Sequence, residues 1–577
     1  MQFIKLIKIF LFIYMPFYFM ACGTASSTKD LEVEFSTSIG ETNNVPLDAS
    51  FVFKFNQIIH PETPKNYFKL VSDGNFIEID IIYAGPPVKT VTIVPKDPLL
   101  LNKSYTFVLE TNISNVANNK FLGRKTFYFS TNASWTTAKR VTREVGNNQQ
   151  NASVVMTTNN GGYTSLIYEE YNPLTRFSEI YHTSTIVGNV NSRTNAFGHI
   201  KKISRERKGN ATLAKLALSI VDGHIQESIV WQQYDGIRTN VWARKYINDG
   251  EGWGLGGDSN RGPKKIDTEE ASSARFPVIS SNNLGHFISK WFIYNSPFAR
   301  DSHDLKGATN LNSNIWAGSY FLNSAASITP SSLKLHLNND DELFYLWHYR
   351  HNNSDSLHLH YGDGLHLHIS RQVYSELSTR KTSTSIMNEN GDCAVVWVEK
   401  IENRYSLYVK RYDNIDKLWH SNEEVYSSSY PIYNPQITLN KKGNIFISWI
   451  VKANPYSKIF SRERSWSRFR EEGFITEINK QRTIKGLKML GDNHDTILLT
   501  WSEKSTTSPI RDRIFVQRLY PFDENNLFVE KVQLSNDADG NALNPKLAMN
   551  EDGYAIVVWE QFDVNTSKSS LYYSAFQ

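Results

Sequence analysis

Cysteine is nearly absent from this chain: Cys22 and Cys393 are its only two among 577 residues. Two thiols cannot build a disulfide framework, so packing must hold the fold. Net charge is scarce as well. Lys and Arg number 62 against 58 Asp and Glu, a formal +4. Removing residues 1–21, which carry Lys5 and Lys8, leaves +2. That balance gives no case for nucleic acid or for electrostatic adsorption to an anionic membrane. No Gly-x-Ser-x-Gly, His-Glu-x-x-His or phosphate-binding loop is present, so no catalytic residue is assigned. The apolar run Ile9–Met20 is too short for a comfortable membrane span and is interrupted by Pro16.

Aromatic residues are plentiful, at 13% within a 40% hydrophobic total, enough for large buried cores. The length exceeds the usual single-core limit, so more than one domain is expected.

The dominant pattern is a Gly-containing turn followed by an apolar run ending in Trp. It reads Asn390-Gly391-Asp392-Cys393-Ala394-Val395-Val396-Trp397 in its clearest copy. Trp lies six positions after Gly at Gly285/Trp291, Gly391/Trp397, Gly443/Trp449 and Gly553/Trp559. Asp341/Trp347 and Asp495/Trp501 keep the spacing with Asp, Gly162/Tyr168 keeps it with Tyr, and Gly223/Trp231 is two residues longer. The copies recur every 50–60 residues or so, a period suited to propeller blades. Each unit reads as four strands. In the fifth these are Thr382–Met387, Cys393–Glu399, Tyr405–Tyr412 and Lys417–His420. A third-strand signature ending in Tyr recurs at Trp242–Tyr246, Trp316–Tyr320, Val409–Tyr412 and Val516–Tyr520. Fourth strands carry Trp253, Trp419 and Trp466, and Pro277, Pro435 and Pro545 open first strands.

The fold class is therefore all-β, with a β-propeller over residues 132–577. The last copy stops after its third strand at Gln577, and the stretch near 135–141 supplies the missing fourth. Eight blades are favoured, or seven if the first, Trp-less copy is degenerate. Tyr168, Trp231, Trp291, Trp347, Trp397, Trp449, Trp501 and Trp559 are expected in the blade cores, because Val, Ile and Ser flank them. A polar insertion near Asn295–Ser313 in the third unit suits a binding loop.

Residues 1–22 combine a short basic region, an apolar stretch and Ala21 before Cys22. This resembles a bacterial lipoprotein signal, although Phe19 stands where that family usually has Leu. The resemblance implies removal of residues 1–21 and lipidation of Cys22, hence a membrane partner through the acyl chains. Gly23 in place of Asp implies an outer-membrane lipoprotein of the cell envelope. Residues 22–30 form a polar tether.

Residues 31–131 read as short strands, among them Phe51-Val52-Phe53-Lys54-Phe55, Val91–Val94, Tyr105–Leu109 and Thr126–Phe129. Asn44–Asp48, His60-Pro61-Glu62-Thr63, the trio Leu99, Tyr105, Leu109, and the turn Asn115–Asn119 resemble the S-layer-type bacterial Ig-like domain. The resemblance implies a β-sandwich used as a spacer or adhesion module without chemistry.

One local feature invites a metal. His358, His360, His366 and His368 flank Gly362-Asp363-Gly364. A three-residue loop there would place all four imidazoles on one face, where two or three could ligate Zn²⁺, Ni²⁺ or Cu²⁺. Alternation in an outer strand explains the same pattern with no cofactor. Sialidases share the propeller shape, but their Ser-x-Asp-x-Gly-x-Thr-Trp boxes are missing; Ser535–Asn541 has no following Trp. The expected function is binding of a glycan or envelope protein, with enzymatic activity not favoured. A propeller glycoside hydrolase is the alternative, to be recognised by paired carboxylates at the mouth.

Overall fold

The computed structural model describes residues 31–576 except for several stretches, the longest being 188–196, 248–261, 295–302, 373–381 and 475–482. The signal, the tether and Cys22 lie outside the described residues. No α-helix occurs among the described residues, and none is long and apolar enough to cross a membrane. The chain divides into two compact units, Met1–Leu99 with Ser104–Ser130, and Thr131–Gln577 with Leu100–Lys103.

The first unit contains two four-stranded sheets. Phe51–Phe55 pairs with Val33–Thr37 on one side and Thr90–Pro95 on the other. Its period of two buries Phe51, Phe53 and Phe55 and turns Lys54 outward. Phe107 and Phe129, from the other sheet, meet these rings: Phe51 and Phe129 are 4.4 Å apart by centroid, and Phe53 and Phe107 meet edge-on at 5.2 Å. Such geometry suits the aromatic quadrupole.

The second unit is an eight-bladed β-propeller. Each blade is a separate antiparallel sheet whose strands, a to d from the inside out, follow chain order. The innermost strands are Gln150–Met156, Ala211–Val221, Ser273–Ser281, Thr329–Leu337, Ser383–Met387, Ile432–Leu439, Ile484–Gly491 and Ala542–Met549. Each touches the next, and the eighth touches the first, which makes the ring. The eighth blade takes its outermost strand from the start of the unit. Lys568–Phe576 pairs with Lys139–Arg140, and Trp135 bridges to Phe576. Thr136 N–H donates to the Ala575 carbonyl at 2.8 Å, and Val141 N–H to that of Leu571 at 2.9 Å. No sheet edge is left open at the seam.

No backbone ladder joins neighbouring blades. Eight apolar clusters do so instead, one per interface. Trp231 packs with Ile167 and Ile180 of the blade before it, and Trp291 with Val230 and Val241. Trp347, Trp397 and Trp449 meet Ile288, Leu346 and Val396 in turn. Trp501 meets Ile450, Trp559 meets Leu498, and Tyr168 closes the circle against Ile556 and Val558. All eight rings are buried. Several indoles reach forward two residues for an acceptor: Trp231 to Gln233 at 3.1 Å, Trp397 to Glu399 at 2.8 Å, Trp501 to Glu503 at 3.1 Å and Trp559 to Gln561 at 2.9 Å.

A second tie lies in the a–b turns. Asn282, Asn338, Asn388, Asn440 and Asn550 stand nine residues before their Trp, and Asp492 replaces Asn in blade 7. Each side-chain oxygen accepts the N–H four residues on, as at Asn388 from Asp392 at 2.9 Å. Asn282 and Asn388 also donate to the carbonyls of Asn338 and Asn440 in the next blade, at 3.0 and 3.1 Å. Blade 2 departs from the pattern. Val221 pairs with His224 around Asp222-Gly223, both at positive φ, the geometry of a two-residue type I′ hairpin. That longer hairpin accounts for the extra two residues between Gly223 and Trp231.

Three expectations need correction. Pro277, Pro435 and Pro545 do not open their strands. They sit inside, next to a β-bulge. Proline survives there because strand a is an edge strand with its inner N–H side unpaired. The third strand of blade 3 is His303–Asn310, drawn from the supposed insertion, and Tyr320–Ala325 is its fourth strand. Trp316–Tyr320 is therefore not a third strand. Trp253 and Trp466 lie outside the described residues.

Truncation of Trp501 to Ala should cost about 3–5 kcal/mol in denaturant unfolding, through lost transfer energy and a cavity between blades 6 and 7. Lys290 supplies a pH test. It is fully buried beside Trp291, its ammonium 4.4 Å from the Tyr345 ring centroid, and burial lowers its pKa to about 7. The unfolded chain then holds more protons between pH 7 and 10.5, so Lys290 makes stability rise with pH across that window. The thermal midpoint of the Lys290→Met variant should climb less between pH 7 and 9.5 than that of the wild type.

Candidate binding site at the bulge end of the propeller

Seven of the eight innermost strands carry a register shift near their first residues. At six of them one residue adopts a left-handed conformation: Asn151, Leu213, Phe276, Asn434, Gly486 and Asn544, with φ between 52° and 64°. Gly486 has a second reason to be glycine, since a Cβ there would lie 3.2 Å from Pro545 Cδ. Leu213 and Phe276 pay roughly 1–2 kcal/mol for this backbone. A side chain from the preceding blade offsets it. Glu169 accepts Leu213 N–H at 2.7 Å, Gln232 accepts Phe276 N–H at 3.1 Å, and Glu560 accepts Asn151 N–H at 3.0 Å. Each acceptor immediately follows its blade's Trp or Tyr.

These contacts bring two carboxylates together. Glu169 also accepts from Asn151 Nδ2 at 3.0 Å, while Glu560 accepts from Asn544 Nδ2 at 2.8 Å. Both carboxylates thus hold Asn151. Burial raises the Glu169 pKa, against the pull of its Asn151 and Leu213 hydrogen bonds. Gln232 fills the same role without charge, so the geometry requires an acceptor and not an acid.

A bulge re-aims the residues beyond it. The residue paired with the one before Trp is Lys215, Lys334, Lys488 and Lys546 in blades 2, 4, 7 and 8. The same layer holds Ser153, Val278, Thr384 and Gln436 in the other blades. Lys215 and Lys334 expose their side chains, and Lys488 and Lys546 are half-buried, although protein surrounds all four. That combination marks groups lining a channel. Burial lowers the pKa of each, and the other ammoniums lower those of Lys215, Lys334 and Lys488 further, bringing Lys488 to about 8.

At the same end, blades 5 to 7 border a cleft of ≈ 500 Å³. Tyr405, Tyr433, Thr382, Thr483, Lys452 and Lys485 line it with aliphatic neighbours, and among the described residues no carboxylate does. The Tyr433 hydroxyl donates to the Ile484 carbonyl at 3.2 Å, fixing that ring.

The histidine hairpin has a different register from the expected one. Strand c of blade 4 runs through Gly362 and Asp363, which pair with Leu343 and Glu342 of strand b. His360 pairs with Ser370 and His358 with Gln372, so His366 and His368 do not stand opposite them. His366 and His368 themselves lie outside the described residues. His360 stacks on Tyr345 at 4.8 Å, His358 lies tilted against Trp347 at 5.3 Å, and burial takes the His358 pKa down to about 4. Among the described residues no group of three His, Cys, Asp or Glu could hold a metal ion.

Another polar cluster joins blades 1 and 2. Glu227 accepts from Tyr163 at 2.6 Å and Ser165 at 2.5 Å, and lies 2.9 Å from His182 Nε2. The same His182 nitrogen lies 2.9 Å from Ser165 Oγ. One nitrogen thus faces both partners, unlike a catalytic relay, and Ser165, His182 and Glu227 are buried. Cys393 is buried too, and burial raises its thiol pKa well above normal, which makes it inert.

Neither the lysine layer nor the bulge caps stand out in the sequence taken residue by residue. A signal exists in the alignment of the repeats, where Lys334, Lys488 and Lys546 each stand thirteen residues before Trp. If Glu169 serves as an acceptor, Glu169→Gln should leave unfolding free energy within about 1 kcal/mol of wild type. Glu169→Ala should cost about 1–3 kcal/mol, because Leu213 N–H would lose its partner.

Among curated proteins none matches this chain. Similar solved structures include a post-proline cleaving enzyme from Rickettsia typhi, at 9% identity and TM-score 0.40, over 73% of this chain and 58% of that one. An ulvan lyase of polysaccharide lyase family PL25 aligns at 8% identity and TM-score 0.39, over 74% of this chain and 94% of that one. The α-L-arabinanase of Penicillium chrysogenum aligns at 11% identity and TM-score 0.31, over 62% and 92%. Likenesses this distant carry no argument about activity. Residues 27–131 match the bacterial Ig-like domain family, and the N-terminal unit is a bacterial Ig-like domain.

Proposed function

We propose that the propeller is a binding module for a glycan or an envelope protein, carried by the Ig-like domain as a spacer on a chain lipidated at Cys22 in the outer membrane. The observation that carries the binding reading is the cleft of blades 5 to 7. Its described lining residues include two tyrosines, two threonines and two lysines, and no acid is among them. Tyrosine gives a flat apolar face with a polar tip, suited to a sugar ring or to a protein side chain.

The rival reading, a glycoside hydrolase, would call on Glu169 and Glu560. Glycosidases need one carboxyl group free to protonate the leaving oxygen and another free to attack or to activate water. Here both accept backbone N–H groups at strained bulges, and Gln232 does the same work in blade 2. Their use as structural acceptors speaks against that chemistry.

Glycan-array binding beside a panel of chromogenic glycosides tests the reading. Binding without turnover is expected, with affinity at least about tenfold weaker in Tyr405→Ala or Tyr433→Ala, since each would remove one aromatic face. Hydrolysis of any glycoside, lost in Glu169→Gln, would sink the binding-only reading. For the anchor, Cys22→Ala should move the protein from the membrane fraction to the soluble one.

A further inference from the structure

We propose that the propeller channel binds the carboxylate or sulfate groups of an acidic glycan through Lys215, Lys334, Lys488 and Lys546. The inference rests on the reading of the propeller as a glycan-binding module, and it adds the charge of the ligand and the place where it is bound.

Register puts the four lysines in one layer. Each pairs with the residue that precedes its blade's Trp: Val230, Leu346, Thr500 and Val558. Closure of the innermost strands into a ring turns that layer into a circle, so the four side chains converge from blades 2, 4, 7 and 8. Among the described residues none of the four ammoniums has a hydrogen bond or an ion pair. The nearest carboxylates are already engaged. Glu169 attracts Lys215, and Glu560 attracts Lys546, but both carboxylates are held by bulge N–H groups and asparagine amides. Among the described residues no carboxylate acts on Lys334 or Lys488.

Four ammoniums repelling one another inside a ring destabilise the empty protein. The depressed pKa values of Lys215, Lys334 and Lys488 express that cost in part, beside burial. A structural role would call for partners, as Lys202 has in Glu179 at 2.6 Å and Lys531 in Glu503 at 3.1 Å. An anion entering the ring removes the repulsion and gains charge-assisted hydrogen bonds together. Ser153 and Thr384 add neutral hydroxyls to the layer and Val278 an apolar side chain, while the Gln436 amide nitrogen already donates to Asn434 Oδ1 and the Pro435 carbonyl. Lys is a flexible point charge and not a planar fork. Such a ring selects for charge and spacing, which suits an oligomer with acid groups on successive sugars better than one compact anion.

Calorimetric titration of the full chain with four probes tests this: a galacturonic acid hexamer, a chondroitin sulfate hexasaccharide, cellohexaose and inorganic sulfate. Binding of at least one acidic oligosaccharide is expected, weakened by added salt, with cellohexaose and sulfate much weaker. Lys334→Met/Lys488→Met should weaken that binding at least about tenfold, and Lys488→Arg should largely keep it. Because the double variant removes repulsion, its thermal midpoint without ligand should equal or exceed that of wild type, which separates lost binding from lost folding. Binding of cellohexaose alone overturns the inference and leaves the glycan-binding reading standing. Binding of no oligosaccharide overturns both. Acidic-oligosaccharide affinity unchanged in the double variant, or matched by inorganic sulfate, places the site elsewhere or reduces it to a simple anion hole, and either result overturns it.

Discussion

The ring depends on one constraint: its blades share no backbone hydrogen-bond ladder. Apart from the chain itself and the backbone seam of the eighth blade, side chains hold neighbouring sheets together. The largest contribution is a wedge at one fixed position of the second strand, indole in seven blades and the Tyr168 phenol in the first. Around it, smaller ties repeat with the blades. The residue after the wedge reaches forward to the next blade at three interfaces, and the turn asparagine does so at two. These polar ties are worth about 1 kcal/mol each, so the apolar wedges dominate the energy and the hydrogen bonds fix the angle and register.

How far this was legible in the sequence follows from what repeats. The wedge is visible because Trp is a rare residue that recurs at a nearly fixed spacing after a Gly or Asp turn, with Tyr168 taking its place once. The Ig-like domain is visible because Phe51, Phe53 and Phe55 alternate with Val52 and Lys54, and the structure buries those three rings. The bulges are not visible, because the left-handed position is filled by Asn, Leu, Phe or Gly, and no residue type marks it. The proline at 277, 435 and 545 is the nearest signal, and it was open to the simpler reading of a strand start. The strand register at the histidines differs from the expected one for a related reason. A Gly-Asp-Gly sequence suggests a tight turn, but pairing of Gly362 and Asp363 with strand b extends strand c past it. Tertiary pairing outweighs local turn propensity there.

The lysine layer lies between these cases. Four lysines spread over more than 300 residues look like ordinary surface charge. They form a group only once strand register and ring closure are both known. Radial symmetry makes this general: a propeller gathers single residues from distant blades at its axis, so a binding site there leaves no local motif. The cleft of blades 5 to 7 is assembled in the same way, from three successive repeats.

The shared eighth blade bears on the order of folding. Tyr572 pairs with Arg140 across more than 400 residues of chain, a separation that makes this pairing among the slowest to form. Seven blades can stack as they emerge from synthesis, but the seam waits for Lys568–Phe576. Until then the first blade presents the bare Tyr168 face and the seventh the bare Leu498 face. A chain interrupted late therefore carries two adhesive surfaces instead of none. Quality control can recognise an unfinished ring by its exposed apolar ends, with no need to inspect its ligand site.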